Sequence, residues 1–484
     1  MNFNSLEYAA FLPIVFALYW ALPHKFRGVL LLISSYYFYM SWNPRYVVLI
    51  LFTTAVSYAA ALLLEKYRNR ASRNVILAGT LISCLGVLFF FKYFNFASES
   101  VAAVARYFSF SMQPITLKLL LPVGISFYTF QTLSYVIDVY RGEVKAERNF
   151  GIYAAFISFF PQLVAGPIER TANLLPQIKS EKKFDYDLAM HGARQMLWGF
   201  FKKVAVADVA ATYVNTAYDT LHSCTGFDLC AAILFFSMQI YCDFSGYSDI
   251  AIGTAKLFGI NLMTNFKSPY FSTSIKEFWS RWHISLSTWF RDYVYIPLGG
   301  SRCSKLRSSF NLLVTFLASG LWHGANWTFV VWGGIHGGAQ VVEKALGWDR
   351  KQRKNEGLLV LSWAAVFAFC NLAWVFFRAD HLSDAWYVIC HAFGGFSDIS
   401  TYLHTSINLG KGRFLYICSL FLIVAAYDWR SLKTDVIDEL AKVRAPRTYE
   451  DRSAEAAPAP APVRRQLSGP ELNRLRSERE FLSL

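Results

Sequence analysis

Two histidines stand where an imidazole is expensive to place. His323 lies in Phe310–Trp332, FNLLVTFLASGLWHGANWTFVVW, a stretch with no Lys, Arg, Asp or Glu. It is long enough to cross a bilayer, which puts His323 in the middle of one span. Trp322 and Gly324 flank the ring, and Asn326 and Trp327 follow. An imidazole at membrane depth either bonds to a neighbouring helix as a core group or lines a wet cavity and handles protons. The second, His283, lies in Ser268–Pro297, SPYFSTSIKEFWSRWHISLSTWFRDYVYIP, crowded with Trp279, Trp282, Trp289, Arg281 and Arg291. At helical spacing Trp279, Trp282 and His283 share a face. An interfacial helix with snorkelling arginines explains the same composition.

Other polar groups have blander readings. His336, in GGIHGG, is expected to pack against a neighbouring helix through its flanking glycines. Asp243 and Asp249 stand between apolar runs in YCDFSGYSD, and a buried carboxylate there pairs with something inside the helix assembly. No metal site is expected: there is no H-E-x-x-H, and His24, His191, His222, His336, His381, His391 and His404 show no ligand clustering. Eight cysteines without a C-x-x-C pair read as small buried hydrophobes.

The elements that must position these groups are membrane helices. The chain has 484 residues, 55% of them hydrophobic, and only 17% are charged, below the quarter usual in soluble domains. Apolar runs recur without the alternation of a barrel, so an all-α polytopic membrane protein is expected. Leu6–Leu22 lacks a basic start and a cleavage site and reads as a first span. Further spans are expected at Val29–Trp42, Tyr46–Leu64, Val75–Phe91, Leu119–Tyr140, Met190–Asp208, Leu229–Ile240, Leu358–Phe377 and Phe414–Tyr427. Phe96–Lys118 reads as amphipathic and interfacial, and Phe150–Val164, broken at Pro161, as re-entrant.

The net charge of +14 arises mostly in short loops, since from Arg430 onward eleven Lys/Arg face nine Asp/Glu. Separate basic loops between apolar runs exclude a nucleic-acid surface. With Lys25–Arg27, Lys66–Arg73 and Arg141–Arg148 cytoplasmic, the N-terminus is periplasmic. Residues 1–429 form one membrane domain. Residues 430–484, Pro/Ala-rich at Ala456–Arg465, read as a flexible cytoplasmic tail.

Several long motifs occur in order: LPVGISFYTFQTLSYVIDVYRG (Leu121–Gly142), FFPQLVAGPIER (Phe159–Arg170), QIYCDFSGYSDIAIG (Gln239–Gly253), the Ser268–Gly300 stretch and ASGLWHGANWTFVVWGGIHG (Ala318–Gly337). In these the chain resembles the membrane-bound O-acyltransferase (MBOAT) family, over roughly Met1–Trp429. The match is to its bacterial branch, which serves alginate, peptidoglycan and teichoic acid. The resemblance implies a ring of tilted helices around a central funnel, in a bacterial inner membrane. It also implies acyl transfer from a cytoplasmic thioester such as acetyl-CoA to hydroxyls of a cell-envelope polysaccharide such as alginate, directly or through a periplasmic acetyltransferase partner, with no bound cofactor. The family's W-H-G histidine falls on His323 and the R-W-H-x-S histidine on His283.

Such chemistry needs a base for the hydroxyl proton and donors for the oxyanion. His323, deeper in its uncharged span, is expected as the base. His283, wetter and nearer an interface, is expected to orient a substrate or to donate. Trp279, Arg281, Trp322, Asn326 and Asp243 are candidate substrate-binding residues. Ser319 or a nearby Tyr is the candidate nucleophile for an acyl-enzyme route, without a supporting motif. The competing class is a proton-coupled transporter using intramembrane His and Asp, but no repeated halves are seen.

Overall fold

Short polar side chains start many of the helices. Ser5, Asn69, Asn149, Asp185, Thr225, Ser274, Ser304 and Asn326 each accept a backbone N–H from the first turn. The computed structural model describes residues 1–164, 166–348, 356–394 and 410–439, which are helices and connecting segments with no strand. In order they are α1 (Leu6–Ala21), α2 (His24–Met40), α3 (Val47–Lys66), α4 (Arg70–Leu88), α5 (Phe94–Tyr107), α6 (Ile125–Arg141), α7 (Phe150–Ser158), α8 (Phe160–Leu163), α9 (Thr171–Lys179) and α10 (Tyr186–Phe200). There follow α11 (Asp208–Asp219), α12 (Gly226–Leu257), α13 (Ile275–Arg281), α14 (Ile284–Phe290), α15 (Lys305–His323), α16 (Trp327–Leu346), α17 (Glu356–Arg378), α18 (Leu382–His391) and α19 (Gly410–Ser431). Among the described residues, five stretches are long and apolar enough to cross a membrane: Pro44–Lys66, Arg70–Tyr107, Gly226–Leu257, Glu356–Arg378 and Gly412–Ser431. The fold is that of an all-α polytopic membrane protein.

The largest correction to the sequence reading concerns Phe310–Trp332, which is not one span. α15 stops at His323, Gly324 is extended at φ −159°, and Asn326 caps a new helix running back the other way. The hairpin closes tightly because its contact residues are glycines. A Cβ on Gly320 would lie 2.2 Å from the Phe329 carbonyl oxygen, and one on Gly333 2.3 Å from that of Phe316. His323 therefore sits at a helix end, roughly 27 Å along α15 from Lys305.

Other boundaries move for similar reasons. Phe96–Lys118 is not a separate interfacial piece up to Tyr107, because α4 continues through a π-turn at Phe89–Tyr93 into α5. The span expected from Leu119 becomes helical only at Ile125, after Gly124 at φ +73°. Phe150–Val164 breaks at Phe159 into α7 and α8, and Phe159 and Phe160 are wholly buried, so this backbone lies inside protein. Ser268–Pro297 is not one helix: α13 and α14 are separated at Trp282–His283, and His283 takes the left-handed φ of +43°. The shared face of Trp279 and His283 does not survive that break.

The three basic loops meet on one side. Arg148 pairs with Glu65 at 2.5 Å, Arg73 donates to the Tyr140 carbonyl, Lys179 pairs with Glu147 at 2.7 Å, and Arg27 donates to the Lys182 carbonyl at 2.7 Å. Of the proposed tail from 430, the stretch up to Glu439 is described, and Val436 and Ile437 in it are buried. The rest of the proposed tail, from 440, lies outside the described residues.

Candidate active site

A cavity of about 2000 Å³ opens on the basic side among α10, α12, α13, α14, α15 and α19. Its wall carries ten Lys/Arg against six Asp/Glu. Arg281 donates to Glu277 at 2.6 Å, while its Nη1 is buried and carries no partner. Arg170, paired with Asp292 at 2.7 Å, likewise has a buried, unpartnered Nη1. Asn265, Trp279 and Ser319 also line the cavity, the last roughly 21 Å along α15 from Lys305. The wall thus runs from a cationic mouth to a floor of aromatic and small polar side chains.

Beyond that floor lies an aromatic cluster holding three imidazoles. The His283 and His323 ring centroids are 6.4 Å apart. Trp322 and Trp332 lie 4.9 and 5.1 Å from His323, and Trp332 lies 5.0 Å from His336. The Nε2 atoms of all three histidines, and the indole nitrogens of Trp322 and Trp332, are buried with no hydrogen-bond partner. Buried polar atoms are normally satisfied, so five unsatisfied nitrogens in one place mark a site for a polar ligand.

The neighbours fix two of the tautomers. Asn265 Oδ1 accepts from the backbone N–H of Ser285 at 3.2 Å, which identifies it as the oxygen. The same oxygen is 3.1 Å from His283 Nδ1, so Nδ1 carries the proton and Nε2 presents a lone pair. Trp279 Nε1–H, a donor only, points at His336 Nδ1 at 3.2 Å. His336 Nδ1 therefore accepts, and its Nε2–H is a donor. His323 Nε2 is committed by no such bond.

This arrangement changes several expectations. His283 is wholly buried, not wetter as expected, and His323 is partly exposed as a residue although its Nε2 is buried. The cause is the helix break: φ +43° turns His283 inward under Phe244 at 4.5 Å, while His323 ends a helix at a hairpin tip. Asn326 is occupied elsewhere, its Oδ1 capping Thr328 N and its Nδ2 donating to the Asp380 carbonyl at 2.7 Å. Asp243 is not brought to the histidines; it pairs with Lys203 at 2.6 Å and is half-buried. Trp279, Trp322 and Arg281 do border the cluster or the cavity.

In the sequence His336 reads as a packing residue, and Asn265 carries no signal there at all. The one hint for His336 was its i+4 placement after Trp332, on the same face of α16.

One group of ligand-type side chains gathers among the described residues, contrary to the expected lack of clustering: His191, Asp435 and Asp438, within 4.8 Å of one another. Lys256 Nζ, 3.0 Å from His191 Nδ1, makes that nitrogen an acceptor and leaves Nε2–H to face Asp435 at 3.4 Å. With an ammonium already there, the group is a hydrogen-bonded network tying the end of α19 to α10.

Comparison with known proteins agrees with this architecture. The profile of the MBOAT, membrane-bound O-acyltransferase family, matches residues 147–377. A probable alginate O-acetylase AlgI of Pseudomonas aeruginosa is 38% identical over 458 residues, covering 93% of this chain and 85% of the relative. A peptidoglycan O-acetyltransferase of Helicobacter pylori is 36% identical over 408 residues, 78% of this chain and 76% of the relative. A teichoic acid D-alanyltransferase of Streptococcus thermophilus is 30% identical over 292 residues, 55% and 70% of the two chains. With its helical fold and two motif histidines 6.4 Å apart, the chain belongs to the membrane-bound O-acyltransferase family and is an acyltransferase.

Proposed function

We propose that this acyltransferase moves an acetyl or other short acyl group from a thioester entering through the basic cavity to hydroxyls of a cell-envelope polysaccharide. Alginate is the favoured acceptor, because the relatives matching most of the chain are named alginate O-acetylases. Transfer is direct or passes through a partner enzyme on the outer face. The observation that carries the reading is the cluster of five buried, unpartnered imidazole and indole nitrogens beyond the cavity floor. Phosphates of a donor such as acetyl-CoA suit the unpartnered nitrogens of Arg170 and Arg281.

In this reading His323 is the base. It is the imidazole of the three that no neighbouring hydrogen bond commits to a tautomer, and a base must come within hydrogen-bond reach of the proton it removes. As the hydroxyl oxygen attacks the thioester carbonyl carbon, its proton passes to His323. The carbonyl oxygen becomes an oxyanion, met by the indole N–H of Trp322 or Trp332 and the Nε2–H of His336. Collapse breaks the C–S bond, and the leaving thiolate takes the proton back from His323. His283, with its lone pair presented, accepts a hydrogen bond from a neighbouring hydroxyl of the acceptor and so orients the reacting one, whose own proton goes to His323. The basic loops on one side suit a cytoplasmic face of an inner membrane, with the N-terminus periplasmic.

The test is acyl transfer by purified protein, with acetyl-CoA and an alginate oligosaccharide, alongside acetyl content of the cell-surface polymer. His323→Ala should lower transfer by about 10²–10⁴-fold at unchanged membrane abundance. Normal acetylation by that variant would remove the assignment.

A further inference from the structure

We propose that Lys92 is a positioning residue for His323; this rests on the reading of His323 as the base. Lys92 lies in the π-turn Phe89–Tyr93 between α4 and α5, inside a 38-residue helical stretch long and apolar enough to cross a membrane. A lysine there is costly unless it faces the protein interior and finds partners. Phe89 and Phe90 are exposed on the outer surface, whereas Lys92 and Tyr93 reach inward. A π-turn inserts one residue into a helix and so re-aims the side chains that follow.

What the two inward side chains hold is the end of α15. Lys92 Nζ donates to the Trp322 carbonyl, reaches Ser126 Oγ at 3.3 Å and lies 5.5 Å from the centre of the Trp322 ring. The Tyr93 hydroxyl donates to the Leu321 carbonyl at 3.0 Å. The last carbonyls of a helix have no partner within it, and a cation is favoured at that end. Here the chain leaves α15 in an extended conformation at Gly324 instead of closing with a capping turn. The Trp322 carbonyl belongs to the peptide whose nitrogen is that of His323. Holding that oxygen fixes the peptide plane before His323 and, with the helical φ of this last residue of α15, the direction of its Cα–Cβ bond. The ring makes no hydrogen bond through Nε2, so this backbone clamp and the packed aromatics are what aim it.

The experiment compares Lys92→Met, Lys92→Arg, Tyr93→Phe and His323→Ala in the acetyl-CoA assay, at matched folded protein in detergent. Lys92→Met should lower kcat by about 10²-fold, the scale of a small misplacement, with KM for both substrates nearly unchanged. Lys92→Arg, which keeps a cation and donor, should recover most of that loss. Wild-type kcat in Lys92→Met overturns the inference, as does a loss that follows melting midpoint and is not relieved by arginine. Should Lys92→Met not insert, Tyr93→Phe, which deletes one hydroxyl, decides: a several-fold fall in kcat at normal abundance supports the clamp, and no fall overturns it. An active His323→Ala would sink the base assignment itself, whereas an inactive His323→Ala beside a fully active Lys92→Met would sink only the clamp.

Discussion

Asn265 offers the sharpest test of how the site is held. Its Oδ1 accepts from His283 Nδ1 at 3.1 Å, Ser285 N at 3.2 Å and Ser285 Oγ at 2.9 Å, and its Nδ2 donates to Ser248 at 3.1 Å. The residue is wholly buried. Asn265→Ala strands one donor that cannot turn away, the backbone N–H of Ser285. A stranded buried donor costs about 1–3 kcal/mol, so the variant loses at least that much stability. It also frees His283 to carry its proton on Nε2, which removes the acceptor that faces the substrate. One such hydrogen bond, about 1.4 kcal/mol, is roughly tenfold in kcat. Ser285→Ala is the comparison. It strands the Ile168 N–H that Ser285 Oγ accepts at 3.0 Å but leaves the His283–Asn265 bond in place. It should lose about 1–3 kcal/mol of stability while its kcat stays closer to wild type. Melting in detergent gives one axis and kcat per folded molecule the other. Equal kcat in the two variants, or wild-type melting in Asn265→Ala, would refute the tautomer argument.

Asp243→Asn should leave transfer within about twofold, because Lys203 keeps Asp208 at 2.8 Å and the amide oxygen can still accept from it; a dead variant in the acetyl-CoA assay would bring Asp243 back to the site. Arg281→Gln should raise the donor KM roughly tenfold or more through loss of a charged hydrogen bond, with kcat little changed; an unaltered KM would move the donor elsewhere in the cavity. Gly333→Val places a branched side chain where a Cβ already meets a carbonyl at 2.3 Å, so membrane abundance should collapse on immunoblots, and normal levels would contradict the hairpin. A reporter fused after Lys66 should read cytoplasmic, and a periplasmic signal would invert the topology.

Composition made the helical membrane class legible, since apolar runs leave the backbone no alternative in lipid. Helix ends were not legible, because an uncharged stretch looks the same whether it is one span or a hairpin. Phe310–Trp332 reads as continuous until Gly324 and Asn326 are taken as a stop and a cap, and both are ordinary residues in apolar sequence. His283 is buried against expectation for the same reason. Charges around His283 suggested an interface, yet Arg281 is engaged by Glu277 and the break at Trp282–His283 turns the imidazole inward. His323 and His283 were found from residue type and motif. Asn265 and His336 were not assigned, because their roles depend on what three-dimensional packing puts beside Nδ1.

The polar groups of this site share one structural circumstance: most sit where a helix fails. His323 ends α15, His283 occupies the left-handed joint between α13 and α14, Asn265 lies in the segment after α12, and Lys92 and Tyr93 ride a π-turn. An unbroken apolar helix satisfies its own backbone and gives a ring no reason to leave the packed face. A broken helix releases carbonyls and N–H groups that must be met, and at membrane depth water is not there to meet them. The partners recruited for that purpose are polar side chains: Lys92 and Tyr93 on the carbonyls of α15, Asn265 on the N–H of Ser285. Those side chains also fix where the imidazoles point or which nitrogen carries the proton. Satisfying the helix ends and arranging the chemistry are therefore one structural problem here. It follows that a substitution restoring helix across Gly324 or across Trp282–His283 would remove the site even with every histidine retained.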